Sequence, residues 1–200
     1  MVTVVGLTGS IGSGKSTVSN YLLKKGFIVI DSDLLAREVV EKGKPALKEI
    51  KAVFGKSVIS KDGTLDRKKL AKIVFSKKKK KEELERIVTS RVVKEIKKRL
   101  KKLKDENAVG PIFVDAPVLF ECEAKLPLDY TWVVVADDDV RAKRVMERDG
   151  CTHEEFVART STQFSQEEKI KRADRVIENN GSTRLLYSRI RALLREIHAI

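Results

Sequence analysis

The chain has 200 residues, of which 42% are hydrophobic and 36% charged, and its formal net charge is +13. That length suits one domain with insertions, the apolar content can build a core, and the positive balance favours anionic partners such as nucleotides, phosphorylated metabolites or nucleic acid. Cys122 and Cys151 are too few for a disulfide framework and sit in no metal-ligand spacing, and no stretch approaches the ~20 apolar residues of a membrane span.

Residues 2–7 are apolar and rich in β-branched side chains, and read as a buried strand. They run straight into a glycine motif and so do not read as a signal peptide; the cytoplasm is the expected location. The motif is Gly9-Ser10-Ile11-Gly12-Ser13-Gly14-Lys15-Ser16, which fits G-x-x-x-x-G-K-[ST]. Residues 16–25, with Val18, Tyr21 and Leu22 at helical spacing, supply the helix that must follow it. The residue types follow from phosphate chemistry. Glycines let successive N–H groups turn inward around phosphate oxygens, and the helix N-terminus adds orphan donors and a positive dipole end. Lys15 supplies a mobile cation for the β- and γ-phosphates, and the Ser16 hydroxyl suits Mg²⁺.

A second strand over 27–30 leads into Asp31-Ser32-Asp33. Carboxylates at the carboxyl end of a parallel strand face the ligand crevice of an open α/β sheet, although Ser32 or Asp33 could instead cap the next helix. From Leu34 to about Asp105 the pattern is helical. It predicts helices over 34–41, from Pro45 onward, over 67–75 behind an Asp66 cap, and over 82–104, with a turn at Asp62-Gly63. Such a block is too long for a simple crossover and reads as an inserted acceptor-side subdomain. The lysines of 77–81 read as a solvated helix start, since no aromatic residues interleave with them as nucleic-acid stacking would require.

A third strand over 111–115 ends in Asp115, placed to hold a Mg²⁺-bound water or Lys15. A fourth, over 131–136, is continuously apolar, as expected of a strand buried on both faces. The helix predicted over 138–149 carries Arg141, Arg144 and Arg148, and Gly150 breaks it. Thr152 with Glu155 and Ser165 with Glu168 begin two short helices by the capping-box pattern; with Arg159 they form an expected flap. A fifth strand over 175–179 precedes a final helix whose inward stripe is Leu185, Leu186, Ile190, Leu193, Leu194 and Ile197. His153 and His198 read as surface residues rather than general bases.

These elements give an α/β fold, a three-layer P-loop NTPase of the nucleotide-kinase-like kind, with a five-stranded parallel sheet, a helical acceptor insertion and a lid. The expected core is 1–33, 106–138 and 174–200, the insertion 34–105 and the lid 139–173. Arginines on a closing lid suit phosphoryl transfer, which needs charge neutralisation and exclusion of water.

The chain resembles the dephospho-CoA kinase family over nearly its whole length. The resemblance is carried by residues 6–17, by Asp31-Ser32-Asp33 with Ala36-Arg37, by Phe54-Gly55 through Phe75, and by residues 114–121. Arg144, Arg148, Arg159, Gln163, Lys169, Ala173-Asp174 and Asn179 with Gly181 complete it. It implies ATP with Mg²⁺ as donor and cofactor, and the ribose 3′-hydroxyl of dephospho-CoA as acceptor. By resemblance Asp33, Lys15 and Arg144 are catalytic, and Gly12, Ser13, Gly14, Lys15, Ser16, Thr17, Arg148 and Asn179 bind ATP. Asp33, Arg37, Asp115 and Arg159 then serve the acceptor, with Ser16 and Asp33 near the metal. A monomer is favoured, and neither a membrane nor nucleic acid is an expected partner. The chain departs from the family pattern at Thr89-Ser90, where His-Pro is usual, at Arg141, where Gln is usual, and at Ser10 and Val118. The other readings are a P-loop nucleoside or nucleotide kinase with another acceptor, and a nucleic-acid-stimulated NTPase, which would respond to polynucleotide with steep salt dependence.

Overall fold

The computed structural model describes residues 2–75, 77–122 and 125–198. The side chains of Phe75 and Lys78, within the predicted helix over 67–75 and the lysine run, lie outside this description. The chain separates into two compact units, one formed by Met1–Ile30 with Lys102–Ile200, the other by Asp31–Lys101.

The first unit is built on a five-stranded sheet of order β2-β3-β1-β4-β5. The strands are β1 (Val4–Gly9), β2 (Ile28–Asp31), β3 (Ile112–Asp115), β4 (Tyr130–Val135) and β5 (Arg175–Glu178). β1 pairs in parallel with β3 and β4, and β4 with β5. β1 is buried along its whole length, as expected of a parallel strand covered on both faces. Its side chains alternate between those faces. Val5 and Leu7 enter a core with Phe113, Trp132, Val134 and Ile177. Gly6 looks the other way, where an added Cβ would strike Leu119 and Leu128.

Helices α1 (Lys15–Lys24) and α9 (Thr183–Glu196) cover the Val5 face through Val18, Tyr21 and Leu22 and through Leu186, Ile190, Leu193 and Leu194. Leu185 was expected on that inward stripe, but it is 46% exposed, because it sits in the first turn, where Ser182 caps the helix. β1 starts and ends two residues later than the pattern predicts, since its register with β3 begins at Val4 opposite Ile112. The shift brings Gly9 into the strand, so the glycine motif leaves directly from its carboxyl end.

In the second unit α2 (Ser32–Glu38), α3 (Pro45–Phe54), a 3-10 turn (Lys56–Val58), α4 (Arg67–Phe75) and most of α5 (Lys78–Asp105) gather round Val40, Ala46, Ile50, Phe54, Val58, Leu70 and Ile87. Pro45 takes the first helical position, and Asp66 accepts from the Lys69 N–H. α5 starts four residues before the predicted Glu82. Lys80 and Lys81 pair there with Glu83 and Glu85, and the Lys80 ammonium lies 5.3 Å from the Phe54 ring centre. Thr89 and Ser90 lie within the unbroken α5. Arg99 joins Glu38 and Glu95 in an ion-pair cluster between α2 and α5.

The cap of α2 differs from both sequence candidates. It is Asp31, not Ser32 or Asp33, that accepts from the N–H groups of Asp33 and Leu34, at 2.7 and 3.0 Å. The helix begins at Ser32 rather than Leu34, so the residue just before it is the one whose carboxylate reaches the first turn. Among the described residues no helix is long and apolar enough to cross a membrane.

Candidate active site

The glycine loop between β1 and α1 turns on two left-handed residues, Gly12 at φ 80° and Gly14 at φ 91°. L-residues pay about 1–2 kcal/mol for that backbone, which accounts for glycine at both positions. The Ser13 N–H closes the turn on the Ser10 carbonyl at 3.0 Å. Gly14 is the N-cap of α1 and offers no side-chain cap. Among the described residues none accepts from the N–H groups of Gly12, Gly14, Lys15 or Ser16. Two buried hydroxyls, Ser10 Oγ and Ser13 Oγ, also lack a hydrogen-bond partner. Unpaired donors gathered at a helix N-terminus make a site for an oxyanion.

Lys15 stands at the mouth of this loop, its ammonium ion-paired with Asp115 at the end of β3. The second oxygen of Asp115 accepts from the Ser19 hydroxyl. Asp115 is 4% exposed, so its charge is held by these two partners rather than by water. The contact with Lys15 is one of the two partners the sequence offered for Asp115. Ser19 was not foreseen; it lies one helical turn after Lys15 and on the same face, which is the signal that could have found it.

Behind the loop lie α6 (Asp138–Asp149) and the end of β5. Arg144 donates to the Gly12 and Asn179 carbonyls, at 3.5 and 2.9 Å. Asn179, buried, donates to the Ser13 carbonyl at 2.8 Å. Arg141, also buried, donates to the Ile11 carbonyl at 3.0 Å and pairs with Asp138. Gln163 accepts from the Ile11 N–H at 3.2 Å.

Beyond Arg144, Arg148 on α6 and Arg159 on α7 (His153–Thr160) meet at one carboxylate, Asp149. The hydrogen bond from Arg148, reinforced by Arg159, holds that carboxyl below the ordinary aspartate value, and Asp149 raises Arg148 in turn. The capping box of Thr152 and Glu155 starts α7 as predicted. Ser165 caps α8 (Gln166–Arg172) through the Glu168 N–H.

A buried cation braces the loop after β3. The Lys169 ammonium, on α8, donates to the Pro117 carbonyl at 2.7 Å and pairs with Glu121 at 2.8 Å. Burial lowers the Lys169 pKa below the ordinary lysine value, opposed by the hydrogen bond and charge of Glu121. Glu121 also accepts from the Phe164 N–H.

In the first unit, then, the structure brings together the glycine loop, Lys15, Asp115, Arg144 and Asn179, while Arg148 and Arg159 form their own exposed cluster. Ser16 is exposed and Thr17 half-buried at the start of α1. Asp33 and Arg37 both lie on α2 in the second unit, in its first and last turns, and both are exposed. His153 and His198 are exposed as well.

A phosphate loop at the carboxyl end of the central strand, a lysine on its rim and arginines converging behind it define a P-loop phosphotransferase. Comparison with known proteins narrows the class. The family model described as dephospho-CoA kinase matches residues 3–184. A dephospho-CoA kinase from Carboxydothermus hydrogenoformans is 40% identical over 196 residues, covering 98% of this chain and 95% of its own length. A solved Thermus thermophilus protein, TT1252, superposes with a TM-score of 0.80 at 36% identity, covering 98% of both chains. Dephospho-CoA kinase from Campylobacter jejuni does so with a TM-score of 0.75 at 30% identity, again over 98% of both. The chain belongs to the dephospho-CoA kinase family.

Proposed function

We propose that this chain transfers the γ-phosphoryl group of ATP to the ribose 3′-hydroxyl of dephospho-CoA, giving coenzyme A and ADP. The observation that carries the reading is the set of unpaired N–H donors at Gly12, Gly14, Lys15 and Ser16, in a chain of this family. Those donors take the phosphate oxygens, with Ser13 and Thr17 completing the loop. Lys15 swings from Asp115 to the transferred group, where its charge matters most as negative charge redistributes in the transition state. Arg144 adjoins the loop through Gly12 and serves the same group, while Arg148 and Asn179 belong to the ATP side.

The acceptor oxygen forms the new bond to the γ-phosphorus as the bond to the β,γ-bridging oxygen breaks, and the hydroxyl proton passes to the Asp33 carboxylate. Arg37, Arg159 and Asp115 belong to the acceptor side of this reading. The Ser16 hydroxyl, exposed at the first turn of α1, is a hard oxygen donor of the kind Mg²⁺ takes alongside phosphate oxygens, and in the alternative to its role as base Asp33 would act as a second ligand instead. Bound with ATP, Mg²⁺ would neutralise charge on the β- and γ-oxygens. Residues 34–105 serve as the acceptor insertion and 139–173 as the lid. Two unpaired cysteines suit a reducing compartment, and the cytoplasm is the proposed location, with the protein acting as a monomer.

The test is ADP release with dephospho-CoA, AMP, shikimate and single-stranded RNA offered in parallel. Release should track dephospho-CoA alone. A response to AMP or shikimate would make the chain a kinase with another acceptor, and a salt-sensitive response to RNA would make it a nucleic-acid-stimulated NTPase.

A further inference from the structure

Side chains from three segments hold the peptide groups of the phosphate loop from outside. Arg141 takes the Ile11 carbonyl, Arg144 the Gly12 carbonyl and Asn179 the Ser13 carbonyl, while Gln163 takes the Ile11 N–H. The peptide unit is planar and trans, so a carbonyl and the N–H of the following residue point in opposite directions. Fixing the Ile11 carbonyl therefore aims the Gly12 N–H, and fixing the Ser13 carbonyl aims the Gly14 N–H. Those are two of the four donors that no described residue accepts from. The peptide between them is fixed as well, since the Ser13 N–H closes on the Ser10 carbonyl.

Arg141 is the anchor of this arrangement that lies deepest in α6. It is 5% exposed, its Nη1 is 2.6 Å from Asp138 Oδ1, and its guanidinium lies 5.6 Å from the Phe156 ring centre on α7. With Gln163 it also lines a cleft of about 260 Å³. The charge of Arg141 is neutralised by Asp138 and its Nε donates to a backbone carbonyl, so it is committed to the loop rather than to a ligand.

We propose that Arg141 is a positioning residue for phosphate binding: it aims the Gly12 N–H into the loop before nucleotide arrives and, through Phe156 and with Gln163, ties that aim to α7 and the turn after it. This role rests on the loop being the ATP site proposed above. Pre-aimed donors need no reorganisation on binding, so loosening them weakens affinity for the phosphates without removing any group that touches them.

The experiment compares Arg141→Met, which keeps side-chain length without donors, Arg141→Gln, which keeps an N–H donor, and Gln163→Met, a less buried change acting on the same peptide. Each full-length protein is measured for ATP affinity by calorimetry, for kcat and KM separately, for melting temperature and for amide exchange by residue. Losing one charge-assisted hydrogen bond should weaken ATP binding about tenfold in Arg141→Met. KM for ATP should rise more than kcat falls, Arg141→Gln should recover part of the loss, and Gln163→Met should move in the same direction. Exchange at Ser13 N–H should quicken in Arg141→Met although Arg141 does not touch that group.

Two outcomes overturn the role. One is ATP affinity within about twofold of the parent in both Met variants, with loop exchange unchanged. The other is quickened exchange spread evenly over β4 and α9, which would make Arg141 a packing residue only. If Arg141→Met does not fold, Gln163→Met decides by the same readouts. Failure of the parent protein to bind ATP would remove the phosphate-loop reading itself, whereas unmoved variants would leave that reading standing.

Discussion

Gly14→Ala probes the loop where geometry is tightest. Gly14 has φ 91° and ψ 19°, and an added Cβ would lie 2.0 Å from the Asn179 amide nitrogen. The left-handed backbone alone costs an L-residue about 1–2 kcal/mol. The overlap is too deep for a small adjustment, so Asn179 must leave the Ser13 carbonyl, a 2.8 Å hydrogen bond whose donor is buried. Leaving such groups unpaired costs about 1–3 kcal/mol more. The sum is roughly 2–5 kcal/mol, or on the order of 10 °C in melting temperature for a chain of this size. Denaturant titration and calorimetry of ATP binding measure both consequences. Adding Asn179→Ala removes the atom that clashes, so the double variant should be less destabilised than the sum of the singles by about 1 kcal/mol or more. A Gly14→Ala protein as stable as its parent and binding ATP equally well would refute the reasoning, and strict additivity would refute the role given to the Asn179 contact.

Three further outcomes are expected. Lys15→Ala should keep its fold by circular dichroism but lose at least about a hundredfold in kcat, since the transition state loses its cation; near-normal turnover would remove Lys15 from the chemistry. Lys169→Met should destabilise by about 3–5 kcal/mol in urea because it strands Glu121, whereas Lys169→Met with Glu121→Leu should cost much less. Burial lowers the Lys169 pKa below 10.5, so the unfolded chain holds that proton more tightly and the group's contribution to stability should improve as pH rises through the folded value towards 10.5, a trend absent in the double variant. Asp33→Asn should keep ATP affinity and lose most transfer to dephospho-CoA, with Asp31→Asn less harmful to turnover and acting chiefly through its helix cap; the reverse ranking would transfer the acceptor role to Asp31.

How far the site was legible depended on how local its signals are. The glycine loop, its flanking strand and its helix declare themselves within 25 residues, because phosphate binding demands particular backbone conformations at fixed spacing. The capping box at Thr152 and the proline at the first position of α3 are equally local and were readable. The contacts that shape the loop are not. Arg141 and Ile11 are 130 residues apart, and Ser19 and Asp115 are 96 apart. No periodicity links such positions, and the α6 arginines look alike until the fold sends one to Ile11, one to Gly12 and one to Asp149. The misplaced cap at Asp31 has a smaller cause: a two-residue error in the helix start transfers the capping role to a neighbour of the same chemistry.

Burial sorts the cations around the loop by what they can do. Arg148 and Arg159 are 62% and 45% exposed and share an Asp149 that water also reaches. Exposed pairs of this kind are worth about 0–1 kcal/mol, so a phosphate can draw either arginine away at little cost. Lys169 is fully buried against Glu121, and Arg141 is likewise buried beside Asp138. Separating either would leave a desolvated charge, which costs several times more, and so these two stay with the frame. Lys15 falls between them. Its partner Asp115 is buried, yet Ser19 hydrogen-bonds the other oxygen of that carboxylate and would still hold it were the ammonium to move away. Under the proposed function, Ser19 would thus lower the cost of releasing Lys15, and a hydroxyl one turn behind the P-loop lysine would help make the cation available to the phosphates.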